Sequence, residues 1–148
     1  MEATVRILRE TRIDPRFPLS RRELAVFCGT VLDAVELAGR PVTVKLVDDR
    51  EIARLNREFL GCDGPTNVLS FPAWEEGGEP DEDGSLGEIA LSVDALGRET
   101  DLYGQPPVAH LARLLAHGFL HLAGYDHGDA MYGLTDAAVD RALLEFSP

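Results

Sequence analysis

Three of the chain's four histidines fall inside one run, His117-Gly118-Phe119-Leu120-His121-Leu122-Ala123-Gly124-Tyr125-Asp126-His127, and no other segment restricts the fold as tightly. In an α-helix, residues four apart share a face with Cβ atoms roughly 5–6 Å apart, so His117 and His121 can converge on one point. Gly124 follows the second histidine by three residues, where a glycine in the left-handed conformation ends a helix and turns the chain back. His127 can then return as a third ligand. Three neutral imidazoles at about 2.0–2.1 Å leave a tetrahedral ion one open position, the arrangement of a catalytic rather than a closed structural metal. His110, seven residues before His117, sits near the same face but about 10 Å along the axis. It reads as a solvated or hydrogen-bonded histidine, not a ligand.

The spacing H-x3-H-x2-G-x2-H is similar to that of the metzincin peptidases, with one difference: their glutamate after the first histidine is Gly118 here. Peptide hydrolysis needs a carboxylate to take a proton from water and hand one to the amine, so a peptidase is disfavoured. A phosphodiester makes no such demand, because a metal can stabilise charge on phosphoryl oxygens and ribose brings its own 2′-hydroxyl. Other nucleophile chemistries find little support. Gly77-Gly78 lacks the Lys-Ser/Thr of a phosphate-cradling loop, nothing around Ser70 resembles a nucleophile elbow, and Trp74 lacks basic neighbours for RNA stacking.

The net charge of −12 is lopsided: residues 1–60 carry 11 Lys/Arg against 10 Asp/Glu, residues 61–148 only 3 against 16. Glu75, Glu76, Glu79, Asp81, Glu82 and Asp83 crowd into a Gly/Pro-containing stretch that reads as a solvated loop. Strong nonspecific nucleic-acid binding is therefore not expected from whole-chain charge. The first residues carry charges where a signal peptide needs an apolar stretch, and the apolar region Leu24 to Leu32 is too short to cross a bilayer. A soluble, unexported, cytoplasmic protein is expected. Cys28 and Cys62 lack a second cysteine at ligand spacing and read as reduced thiols.

Alternation predicts strands at Ala3 to Leu8 and Val42 to Leu46, and Val68 to Phe71 and Ile89 to Val93, separated by the acidic stretch, are two more strand candidates. Ser20 with Glu23 forms a capping box for a helix over about 21–38, ended by Gly39. Asp48 and Glu51 cap a second helix, with Ile52, Leu55 and Phe59 on its apolar side. Pro106 and Pro107 open a third, running through Leu111, Leu114 and Leu115 to about Leu122, and Thr135 caps a last one bearing Val139, Leu143 and Phe146. The order β, α, β, α, β, β, α, α predicts an α+β fold of about four strands in a single domain over 1–148.

The histidine run resembles the signature of the YbeY family of metal-dependent endoribonucleases, H-G-x-L-H-L-x-G-Y-D-H. Every fixed position is matched, by His117, Gly118, Leu120, His121, Leu122, Gly124, Tyr125, Asp126 and His127. Two further segments resemble the family's: Leu55-Asn56 followed by Thr66-Asn67-Val68-Leu69-Ser70-Phe71-Pro72, and Leu86-Gly87-Glu88-Ile89-Ala90-Leu91-Ser92. The resemblance implies a zincin-like metal-binding helix, one Zn2+ on the three histidines, and single-strand-specific cleavage in small-subunit ribosomal RNA maturation and ribosome quality control. Ribosomal RNA and the small subunit are the implied partners, with no DNA and no membrane. Thr66, Asn67 and Ser70 are candidates to bind substrate backbone, although alternation along a strand explains Ser70 as well. Asp126 is a candidate to orient an imidazole through its free N–H, or an ordinary turn residue. Glu88 reads as a solvated strand-end carboxylate. Where the family carries an arginine before its T-N-V-L-S-F strand, this chain has Leu60; Arg57, one helical turn earlier, is the candidate replacement among catalytic residues. Other divalent transition metals suit the same ligands. Two alternatives stay open: a metzincin-like metallopeptidase, and a non-catalytic ribosome-assembly factor with a structural metal.

Overall fold

Val42, Val44 and Leu46 alternate with Thr43 and Lys45, and that period-two pattern puts one apolar and one mixed face on an inner strand of a four-stranded sheet. The computed structural model describes residues 5–12, 17–73 and 84–146. The strands are β1 (Val5–Arg9), β2 (Val42–Val47), β3 (Val68–Pro72) and β4 (Gly87–Ser92), in the spatial order β1-β2-β4-β3. β1, β2 and β4 run parallel, and β3 pairs antiparallel with β4. The helices are α1 (Arg21–Ala34), α2 (Asp49–Leu60), α3 (Val93–Tyr103), α4 (Pro107–Leu122) and α5 (Asp129–Phe146).

Register keeps the two faces distinct. Val44 lies opposite Ile89 and Leu46 opposite Leu91, and these join Val5 and Ile7 in the main core beneath α1, α4 and α5. On the other face Val47, Leu69 and Ala90 pack with Ile52 and Leu55 of α2. α4 carries the longest buried stripe, from Val108 through Leu111, Leu115 and Phe119 to Leu122, so its position is fixed by packing on both the sheet and α5. Cys28 is fully buried in α1, where desolvation pushes its thiol pKa up, while Cys62 is exposed. Both are free thiols.

Several boundaries differ from the sequence reading. α1 stops at Ala34, not near 38, because the chain closes a Schellman turn early: the Leu37 N–H donates to the Leu32 carbonyl and the Glu36 N–H to that of Asp33. Glu36 takes the left-handed position usually given to glycine, at φ 66°, which drops Leu37 back onto the core. α3 was not anticipated. Its signals are short: the Ser92 hydroxyl accepts from the Ala95 N–H, and Gly104 at φ 63° ends it barely three turns later. α5 begins at Asp129, so Thr135 does not cap it but lies buried inside it, its hydroxyl without a hydrogen-bond partner among the described residues. Phe59 is mostly exposed, resting edge-on against Phe71. The acidic stretch from Glu75 to Asp83, with Trp74 and Gly77-Gly78, lies outside the described residues, as do residues 1–4.

An unpaired buried hydroxyl is a cost that a methyl group removes. Thr135→Val is expected to stabilise the fold by about 1 kcal/mol, read as a higher urea midpoint at unchanged slope.

Candidate metal centre

The site is built where α4 comes closest to the sheet. A Cβ placed on Gly118 would lie 2.6 Å from Ile89 Cδ1 and 3.3 Å from Ile89 Cγ1, and Ile89 is fully buried. Only a residue without a side chain lets the helix sit this low. The Ser70 hydroxyl of β3 donates to the Gly118 carbonyl at 3.2 Å, so the turn that carries His117 is held to two strands at once. This accounts for the absent glutamate of the peptidase pattern: position 118 faces the sheet, and no carboxylate fits there.

The helix ends as its glycine predicts. The Tyr125 N–H donates to Leu120 and the Gly124 N–H to His121, a Schellman motif with Gly124 at φ 95°. Tyr125 packs partly into the core and fixes the exit direction. The chain that follows brings the ring of His127 to 4.8 Å from that of His121 and 6.2 Å from that of His117, centroid to centroid. Two imidazoles sharing a tetrahedral ion at about 2.0–2.1 Å have centroids roughly 5 Å apart. The three rings are thus gathered, with the His117–His127 gap wider than a shared ion needs. Among the described residues no group of three or more His, Cys, Asp or Glu side chains is already set around one point. His127 is exposed on the bend, whereas His117 and His121 are half-buried on the helix.

The donor set fits a divalent ion of borderline softness. Burial holds the His117 pKa below its ordinary value, reinforced by His121, His127 and Arg113 nearby, so the ring is neutral at pH 7 as a ligand must be. Arg113 was not singled out from sequence. It stands four residues before His117, so helical spacing alone places it on the same face, and it is the cation whose field reaches that ring. Tyr132 of α5 lies 6.5 Å from the His127 ring, closing one side.

The remaining candidates distribute as follows. Asn67 donates to the Glu99 carboxylate, and its carbonyl accepts from the Ser92 N–H. Ser70 serves the Gly118 carbonyl, and Thr66 is half-buried just before β3. Asp126 is exposed, with no hydrogen bond to any of the three rings. Glu88 pairs with Lys45 at 3.4 Å near the start of β4. Arg57 is 76% exposed and makes only a long contact, 3.8 Å, with the still more open Asp63, and Leu60, one turn on, is exposed too. His110 is buried and shares a 2.8 Å hydrogen bond with Glu99, in agreement with its reading as a hydrogen-bonded histidine.

Comparison with known proteins places this geometry in context. The family model described as Endoribonuclease YbeY matches residues 19–134. The chain is 46% identical over 143 residues to the endoribonuclease YbeY of Oleidesulfovibrio alaskensis, covering 85% of each. It is 44% identical over 144 residues to that of Nitratidesulfovibrio vulgaris, covering 86% of this chain and 88% of the relative. The solution structure of TM1509 from Thermotoga maritima superposes with a TM-score of 0.66 at 28% identity, over 95% of this chain and 90% of that one.

The contact between Gly118 and Ile89 makes a coupled prediction. Gly118→Ala is expected to destabilise the fold by about 1–3 kcal/mol through overpacking. Ile89→Val removes the atom at 2.6 Å, so in a double-mutant cycle of urea unfolding the second substitution should recover part of the loss caused by the first.

Proposed function

The chain belongs to the YbeY endoribonuclease family, and from that premise we propose that it is a zinc-dependent, single-strand-specific endoribonuclease of small-subunit ribosomal RNA maturation and ribosome quality control. The observation that carries the reading is the gathering of His117, His121 and His127 by the end of α4 and its glycine bend. When bound there, a divalent ion supplies Lewis acidity toward a phosphoryl oxygen and makes water a stronger nucleophile near neutral pH. The residues of the chain do the rest. His117 and His121 are held on one helical face, and His127 completes the set from the bend. The rim offers no carboxylate in the place of a peptidase base, because position 118 is filled by the sheet. That suits an RNA phosphodiester, whose hydrolysis has no leaving amine to be protonated.

Positive charge for the scissile phosphate comes from Arg113, one turn before His117, with Arg57 on α2 able to swing in because its pairing with Asp63 is long and exposed. Thr66 is the residue offered to the RNA backbone, and Asp126, next to His127, the one offered to orient a ligand imidazole through its free N–H. The chain works as one catalytic unit in the cytoplasm, with ribosomal RNA and the small subunit as partners. No helix among the described residues is long and apolar enough to cross a membrane. A non-catalytic assembly factor with a structural metal is the second reading, favoured by one observation: Leu60, not arginine, stands exposed at the end of α2.

Incubating the purified protein with structured ribosomal RNA and separately with an unfolded protein, with and without chelator, tests the proposal. RNA cleavage that is abolished by chelator and by His121→Ala is expected. Proteolysis would make the chain a peptidase, and bound metal with neither activity would leave the assembly factor. Arg113→Gln should lower RNA cleavage by about tenfold or more, the scale of one lost charged hydrogen bond, and Arg57→Ala by less; unchanged rates in both would remove arginine from the mechanism.

A further inference from the structure

We propose that the β1 edge of the sheet is a second RNA-binding surface, a groove of arginines that grips backbone phosphates away from the histidines. Arg6 and Arg9 project from β1, Arg12 follows it, and Arg21 and Arg22 open α1 alongside; all five are exposed. Arg6, Arg21 and Arg22 line one groove of about 660 Å³ running past Val5, Ile7 and Leu8. A second groove, lined by Leu8, Arg9, Glu10 and Arg21, continues it through the shared Leu8 and Arg21.

Three features separate this edge from the other charged surface. Three arginines elsewhere are spent on carboxylates, Arg54 on Glu51 and Glu58, Arg98 on Asp49, and Arg141 on Asp33 and Glu145, and Arg113 is held by Gln105. Among the described residues no carboxylate pairs with Arg6, Arg9, Arg12 or Arg22, and Glu10 turns to Lys45 instead. Second, Arg21 and Arg22 occupy the first turn of α1, where the helix dipole disfavours cations, so these charges act against the helix they sit on. Third, they concentrate in a chain whose net charge is −12, on the half that carries nearly all its basic residues.

Unpaired guanidiniums in a row are matched to a polyanion, since each can bind phosphate through two N–H donors. That the polyanion is RNA rests on the ribonuclease reading above. β1 and β3 are opposite edges of the sheet, three strand spacings or roughly 14 Å apart, and β3 is the strand bonded to the His117 turn. One RNA strand can therefore be held at this edge while its scissile bond lies at the other. Residues 61–148, which include the three histidines, carry only 3 Lys/Arg against 16 Asp/Glu, so much of the affinity for a polyanion has to come from the other half of the chain, and this edge supplies it.

The test measures binding of a short labelled single-stranded RNA by the His121→Ala protein, which holds RNA without cutting it, across a salt series. Arg21 is left in place because its guanidinium donates to the Ile7 carbonyl. Arg6→Gln, Arg9→Gln and Arg22→Gln together should weaken RNA binding by about tenfold or more and flatten the log–log salt slope by about 2, at roughly 0.7 per charge. The same three positions as lysine should keep the slope. Unaltered affinity and slope in the glutamine variant would overturn the proposal. So would a greater loss toward polyglutamate than toward RNA, which would indicate an acidic protein partner, or self-association with RNA affinity intact, which would make the arginines guards of an open strand edge. Cleavage by the otherwise wild-type chain is scored separately. If that chain cuts RNA while the glutamine variant binds normally, the groove fails and the nuclease stands; if the groove binds and nothing is cut, the reverse holds.

Discussion

The contact between Gly118 and Ile89 sets the depth at which α4 rests on the sheet, and the rest of the site follows from that depth. With no Cβ in the way, the helix settles until the Gly118 carbonyl meets the Ser70 hydroxyl. His117 is then carried at the boundary between core and solvent, where burial keeps it neutral. His121 lies one turn on, and the Schellman bend starts directly after it. A larger residue at 118 would lift the turn off β3 and β4 together, because both strands contact the same point. The glycine that leaves position 118 without a carboxylate is therefore the residue that lets the histidine helix dock.

Around that contact the polar groups are organised to stiffen the neighbourhood rather than to face solvent. Asn67 at the start of β3 holds Glu99 of α3, and Glu99 in turn holds His110 of α4, so three elements are tied by a half-buried network close to the histidine helix. Arg113 joins it through Gln105 and the other nitrogen of His110. Such a network is costly to leave half satisfied, and its completeness gives α4 a fixed rotation about its axis. Rotation matters here because a turn of a few tens of degrees would carry His117 and His121 out of register with the bend.

Much of this was legible in the sequence because it depends on short-range rules. The i, i+4 histidines, the glycine three residues later and the prolines at the helix start each name a local geometry that the structure reproduces. β1 and β2 were legible because their faces alternate, β3 and β4 as short apolar runs. What escaped was decided by tertiary context. α3 is short, contains Gly97 and is held mainly by Val93, Ala95 and Leu96 against neighbours that the sequence does not announce. Thr135 has the chemistry of a cap, yet packing of Met131 and Ala138 on either side extends α5 through it. Glu36 occupies a position that favours glycine, because returning Leu37 to the core outweighs the cost of a positive φ. The arginine edge was visible as a count of charges but not as a surface, since β1 and the start of α1 meet only in three dimensions.

The unequal anchoring of the three histidines has a thermodynamic consequence. His117 and His121 ride on a helix whose buried stripe is among the best packed parts of the molecule, whereas His127 stands exposed on the connection between α4 and α5. An ion taken up by all three would order chiefly that connection, and the free energy of binding would be spent where the apo chain is least constrained. The position of α4 is accordingly set by burial of its apolar stripe, and that of His127 only by the bend that follows it. The 6.2 Å separation of the His117 and His127 rings falls between the packed helix and that exposed connection, where the trio is least tightly anchored.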